Sequence, residues 1–162
     1  MESFLVEPSC LEAKLGSDDL VVLDCAWFVP EAGRSGLDAF RAEHIPTARH
    51  FDLNVASDAA SPYPNMMPSL SQFAAVAGAL GIDNATTVVI YDAGYVSARV
   101  WWMFRRFGHE KVYILDGGLR RWKAEGRPLE SGEPAPAAAR TFEATPPVTD
   151  IAGWVDVAVA LS

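Results

Sequence analysis

The sequence predicts an α/β domain with a central, mostly parallel sheet and helices on both faces. Three observations predict it. The runs Leu20-Val21-Val22-Leu23, Val88-Val89-Ile90 and Val112-Tyr113-Ile114-Leu115 are apolar throughout rather than alternating, the pattern of strands covered on both faces. The stretches between them carry helical start and stop signals. The chain has 162 residues, 50% of them hydrophobic, enough for one domain with a sizeable core.

Taken in order, Pro8 opens a short helix that Gly16 stops. Residues 20–25 form a buried strand bounded by Asp18-Asp19. Residues 37–43 give a short helix and 48–51 a weak strand. Residues 52–68 form a long loop with Pro62, Pro64 and Pro68. Ser69 starts a helix through Leu80, with Gln72 placed as its capping-box partner. Residues 86–91 are the clearest strand, 97–107 a helix ended by Gly108, and 112–115 another strand. After the turn Asp116-Gly117-Gly118, a helix over 119–125 stops at Gly126. Residues 130–139, rich in Pro, Ala, Ser and Gly, read as a linker or surface strap, and 150–161 as a last helix. The expected division is a body over 1–133 and a linker-like tail over 134–162. Val22, Leu23, Val88, Val89, Ile90, Val112 and Ile114 are expected to be nearly fully buried.

Composition excludes several functions. Lys and Arg number 13 against 21 Asp and Glu, a net charge of −8, which disfavours nucleic acid as a partner. No apolar run approaches the ~20 residues of a membrane span. The start, Met1-Glu2-Ser3-Phe4-Leu5, lacks the basic and apolar regions of a secretory signal. Two cysteines and three histidines make neither a disulfide framework nor a zinc site. The expectation is a cytoplasmic protein with reduced thiols, no metal and no cofactor.

The motifs carry a family resemblance. Phe40-Arg41-Ala42-Glu43-His44-Ile45-Pro46-Thr47-Ala48 resembles the rhodanese motif F-x-x-x-H-I-P-G-A. Val88-Val89-Ile90-Tyr91-Asp92, then Ser97-Ala98-Arg99-Val100-Trp101-Trp102-Met103-Phe104, resembles the first domain of two-domain sulfurtransferases. Ser57-Asp58, Ser61-Pro62-Tyr63, Met67-Pro68, Gly108-His109, Leu115-Asp116-Gly117-Gly118-Leu119 and Trp122 continue it in order. The resemblance covers roughly residues 5–133 and is to thiosulfate and 3-mercaptopyruvate sulfurtransferases. It implies a rhodanese-like fold and transfer of sulfane sulfur, through a cysteine persulfide, to cyanide or a thiol.

The resemblance also implies that the nucleophilic cysteine lies in a second domain, on a loop whose N–H groups lower the thiol pKa. Here that loop is residues 91–97, with Asp92 where cysteine would stand. Asp92, Gly94, Tyr95 and Ser97 are thus expected to form a pseudo-active loop in which Asp92 caps the following helix. By the same resemblance Asn54 and Asn65 stand where the family's first domain lends an acidic residue and a histidine to the cleft wall. Their alternative role is turn formation in a Pro-rich loop. Tyr95 lines the cleft or is simply exposed, and Arg99 is placed to pair with Asp92. Cys25 follows a strand, but Trp27, Phe28 and Pro30 make a poor anion nest, so both Cys25 and Cys10 are read as packing residues. His44 is read as structural, bonding a loop carbonyl. Thr47 replaces a usual glycine and is strained if its φ is positive.

The leading expectation is the non-catalytic N-terminal rhodanese domain of such a sulfurtransferase, inactive alone. Its partners would be a second rhodanese domain, absent here, and a small sulfur-containing anion. The alternatives are a stand-alone binding or scaffold module and a single-domain sulfurtransferase using Cys25. Trp27, Phe28, Tyr63, Met66, Met67 and Tyr95 are expected to share one exposed apolar face that supports homodimerisation.

Overall fold

The computed structural model describes residues 4–133 and 136–146. The elements are β1 (Leu5–Val6), α1 (Pro8–Glu12), β2 (Leu20–Asp24), α2 (Gly36–Ala42), β3 (Arg49–His50), α3 (Leu70–Ala79), β4 (Thr87–Tyr91), α4 (Val96–Arg106), β5 (Val112–Leu115) and α5 (Gly118–Ala124), with a 3₁₀ turn at Pro30–Ala32. The strands form one five-stranded sheet in the order β1-β5-β4-β2-β3. Every pairing is parallel. The two central strands run in register from Leu20 opposite Thr87 to Asp24 opposite Tyr91. No helix among the described residues is long and apolar enough to cross a membrane.

The period of two along each strand divides the core into two layers. Val21, Leu23, Val88 and Ile90 face a layer built with Phe73, Phe104, Phe107 and Phe142. Val22, Val89, Tyr91 and Leu115 face the other, with Leu11, Phe40, Ile45 and Trp122. Covered on both sides, β2 and β4 have no solvent face to keep polar, which is why they read as continuous apolar runs. Each such Val, Leu or Ile contributes about 1.5–3 kcal/mol by leaving water.

Several expectations change on contact with the structure. Ile114 is only half-buried, because its outer neighbour is the two-residue strand β1, whose paired Leu5 is 53% exposed. Cys10 is exposed on α1 rather than packed. Ser69 Oγ does accept the Gln72 N–H at 3.2 Å. The Gln72 side chain, however, does not return to Ser69. It donates to the carbonyls of Val55 (3.0 Å) and Ser57 (2.8 Å), fastening the long loop to α3. On α4, Trp101 and Trp102 are partly covered by their own domain. The Trp101 indole N–H donates to the Val112 carbonyl at 3.1 Å and its ring meets Phe4 at 4.7 Å. Trp102 lies beneath the guanidinium groups of Arg99 and Arg106.

Residues 136–146 form an extended strap that crosses the α3–α4 side of the body. The Arg140 N–H donates to the Gly78 carbonyl and the Thr145 N–H to the Phe107 carbonyl, both at 3.0 Å. The Asn84 amide accepts from the Glu143 N–H (2.8 Å) and donates to the Glu143 carbonyl (2.9 Å). Phe142 is 4% exposed and meets Phe73 edge-on at 5.7 Å. The hydrophobic core therefore draws a side chain from beyond residue 133. The helix expected over 150–161 lies outside the described residues.

Candidate functional site

The carboxyl ends of β2 and β4 deliver Asp24 and Asp92 to the same edge of the sheet, both buried. From there the chain makes the short turn Asp92-Ala93-Gly94-Tyr95 into α4. Asp92 Oδ2 accepts the Ser97 N–H at 2.9 Å, and Oδ1 accepts the Ser97 hydroxyl at 3.3 Å. This is the expected cap: an anionic carboxylate satisfies a free N–H at the positive end of an 11-residue helix. The Asp92 carbonyl accepts the Leu119 N–H at 3.2 Å. That approach requires glycine at 118, where a Cβ would lie 2.5 Å from the Asp92 oxygen and where φ is +54°.

Two grooves flank this turn. One, of about 240 Å³, is walled by Trp27, Phe28 and Val29 opposite Gly94 and Tyr95. The other, of about 440 Å³, lies between the turn and Leu5, Ile114, Gly117 and Arg120. Tyr95 stands 77% exposed on the rim. Asp92, Ala93 and Gly94 line both grooves, so the turn is a ridge between them.

Behind the ridge lies a buried polar network that sequence reasoning missed. Asp24 Oδ1 accepts the Ala26 N–H at 2.7 Å. The Tyr91 hydroxyl accepts the Ile45 N–H at 3.0 Å and is also hydrogen-bonded to Asp24. Burial raises the Asp24 carboxyl to about 6, against the opposing pull of the Ala26 and Tyr91 hydrogen bonds. Burial, followed by the charge of Asp24, holds the Tyr91 phenol far above its ordinary value. The signal in the sequence was a carboxylate ending an otherwise apolar strand.

Cys25 belongs to this interior. It is fully buried, and burial together with the negative charges of Asp24 and Asp92 pushes its thiol well up. A thiol so placed is neither ionised nor reachable, the reverse of what nucleophilic attack needs.

The expected cleft-wall residues separate. Asn54 Oδ1 accepts the Trp27 indole N–H at 3.1 Å, so it reaches the first groove only through Trp27. Asn65 adopts φ 57° and turns its carbonyl to Arg99, whose Nη2 donates to it at 2.8 Å. The expected Arg99–Asp92 pair is therefore not formed, because the guanidinium serves the 52–68 loop and Trp102 instead. His44 is 2% exposed, stacks on Phe40 at 4.0 Å and bonds the Phe40 carbonyl through Nδ1 at 2.8 Å. Its role is structural, although the carbonyl belongs to α2 rather than to a loop. Thr47 has φ 67°, the strained conformation that the replacement of glycine implied. No group of three or more metal-ligating side chains occurs among the described residues.

A parallel sheet in this order, with a strand–turn–helix ridge at its carboxyl edge, defines an α/β protein of the rhodanese class. The chain belongs to that family: the rhodanese-like domain matches residues 7–125. It is 47% identical over 133 residues to human 3-mercaptopyruvate sulfurtransferase, covering 80% of this chain and 45% of the relative. It is also 47% identical to the mitochondrial thiosulfate/3-mercaptopyruvate sulfurtransferase 1 of Arabidopsis thaliana, covering 78% of this chain and 34% of that protein. Among solved structures, the 3-mercaptopyruvate sulfurtransferase SseA of Escherichia coli superposes with a TM-score of 0.90 at 30% identity, over 98% of this chain and 62% of that one. The chain thus spans less than half the length of these curated relatives.

Proposed function

We propose that this chain is the non-catalytic, N-terminal rhodanese-like half of a sulfurtransferase that moves sulfane sulfur from thiosulfate or 3-mercaptopyruvate to cyanide or a thiol. By itself it is inactive. The observation that carries this reading is the Asp92 carboxylate on the β4–α4 turn, hydrogen-bonded to Ser97. Sulfur transfer needs a thiolate there. The thiolate attacks the donor's transferable sulfur, the S–S bond of thiosulfate or the C–S bond of 3-mercaptopyruvate breaks with its electron pair leaving on sulfite or the pyruvate enolate, and the acceptor later takes the sulfur from the persulfide and returns the thiolate. A carboxylate performs none of these steps, and its charge already occupies the helix-end donor that would stabilise a thiolate. The 92–97 turn is then a pseudo-active loop, while Asn54 acts on the adjoining groove only by holding Trp27, and Asn65 by holding Arg99. A second rhodanese domain supplies the cysteine, and the small sulfur-containing anion meets it between the two.

The test is turnover of thiosulfate with cyanide by the isolated chain. No activity above buffer is expected. Turnover that disappears in Cys25→Ser but survives in Cys10→Ser would instead make this a single-domain enzyme. A second reading, a stand-alone binding or scaffold module, draws on the exposed aromatics Tyr63 and Tyr95, 69% and 77% exposed. It is favoured if a separately produced cysteine-loop rhodanese domain fails to bind this chain and gains no activity from it.

A further inference from the structure

A second polar cavity, of about 230 Å³ and open to solvent, lies at the opposite edge of the sheet, where Ser17 and Asp18 lead into β2 and Thr47 into β3. Arg49 and Arg140 both line it. They reach it from distant parts of the chain, Arg49 from β3 and Arg140 from the strap. Arg49 is half-buried, and its one side-chain hydrogen bond among the described residues runs from Nη1 to the Leu80 carbonyl. Among the described residues no acidic side chain pairs with it. Arg140 divides its donors among Asp83 Oδ2 (3.2 Å), Thr86 Oγ1 (3.3 Å) and the Asp18 carbonyl (3.1 Å). Burial lowers the Arg49 pKa, and the like charge of Arg140 lowers it further. Two guanidinium groups therefore line one cavity, and Arg49 has no acidic partner among the described residues.

The backbone around Arg49 is shaped to admit it. Gly81 has φ +73°, and a Cβ there would stand 2.6 Å from Arg49 Nη1 and 3.1 Å from the Ala138 carbonyl. Thr47 holds its strained left-handed backbone on the same rim. The lining also includes Ser17 and Thr47, whose hydroxyls are further donors.

We propose that this cavity binds a small tetrahedral oxyanion, of the sulfate or phosphate type, between Arg49 and Arg140. Such an anion supplies the missing counterion and accepts the fork of N–H donors that Arg49 leaves unused. Because Arg140 belongs to the strap, the bound anion also fastens residues 138–140 to the sheet edge. The site is separate from the Asp92 ridge and does not depend on the sulfurtransferase reading. Asp18 on the rim opposes the anion, which sets a further expectation: Asp18→Asn binds it more tightly.

The experiment is a two-dimensional NMR titration of the full chain with inorganic phosphate, and separately with sulfate, at ionic strength held constant with sodium chloride. Saturable shifts are expected at Gly16, Ser17, Arg49, Gly81 and Ala138, including the Arg49 Nε–H, and not at residues 92–97. Arg49→Gln and Arg140→Gln should each weaken binding about tenfold, the scale of one lost charge-assisted hydrogen bond. Arg49→Lys keeps the charge and protects the test against a folding defect. It should bind more weakly than wild type but more tightly than Arg49→Gln. Shifts that never saturate, or equal affinity in wild type, Arg49→Gln and Arg140→Gln, would overturn the proposal.

Discussion

Asp24 shows what one buried carboxyl does to the whole molecule. Its folded-state value of about 6 lies above the 3.8 of a free aspartate. Between about pH 4 and 6 the folded chain keeps a proton that the unfolded chain has released, so stability falls as pH rises through that window. Above it the penalty is about 3 kcal/mol. Burial lowers the pKa of His50 and His109, which pulls stability the other way over part of the same range. The readout is therefore the difference between wild type and Asp24→Asn. Denaturant unfolding at pH 4 and pH 7 should show the variant gaining on wild type as pH rises. A difference that does not change with pH would contradict the burial argument. At Asp92 the effect runs through the cap: Asp92→Ala should cost about 1–2 kcal/mol by leaving the Ser97 N–H without its anionic partner. Asp92→Cys should not create a working enzyme, because the side chain at position 92 is only 7% exposed and the bulk of Tyr95 stands on the rim of the adjoining groove, where a substrate anion would approach. At this scale the sequence was partly legible. The Asp92–Ser97 cap follows from residue type and position, and the strain at Thr47 from the glycine that the resembling motif carries there. The Asp24–Tyr91 network does not, because Tyr91 reaches Asp24 and Ile45 only once β2 and β4 lie side by side.

At the scale of elements, legibility tracked burial. β2 and β4 were readable because strands covered on both faces carry unbroken apolar runs, and β5, half-covered at Tyr113 and Ile114, still carries one. β1 and β3 are two residues each, too short to display any period, and only tertiary pairing defines them. The strap illustrates the limit of composition. Pro, Ala and Ser after residue 129 say that the chain is extended but not what it lies against. That depended on Phe142 finding Phe73 and Phe104, and on Asn84 closing both of its hydrogen bonds on Glu143. Phe142→Ala should therefore destabilise the chain by about 3–5 kcal/mol, as for other large aromatic truncations in a core. Thermal unfolding of that variant checks it. A loss below about 1 kcal/mol would mean the strap is a loose tether rather than part of the body.

At the scale of the whole molecule, the exposed apolar side chains bear on association. Val29, Val55, Tyr63, Met66 and Tyr95 are between 44% and 77% exposed. Trp27, Phe28 and Met67, expected among them, are half-buried instead, with Trp27 tied to Asn54, Phe28 covered by Arg34 at 4.1 Å and Met67 packed against the core. We expect concentration-dependent self-association in sedimentation despite the net charge of −8, reduced in a Trp27→Ser, Tyr95→Ser double variant. A strictly monomeric wild type at all concentrations would remove this expectation without touching the fold.

We propose that this rhodanese-like body carries no working sulfur nucleophile of its own. Intact-mass spectrometry after incubation with thiosulfate tests it most directly. An unchanged mass at Cys25 is expected, because that thiol is buried and un-ionised. A stoichiometric gain of one sulfur atom on Cys25, discharged when cyanide is added, would contradict it.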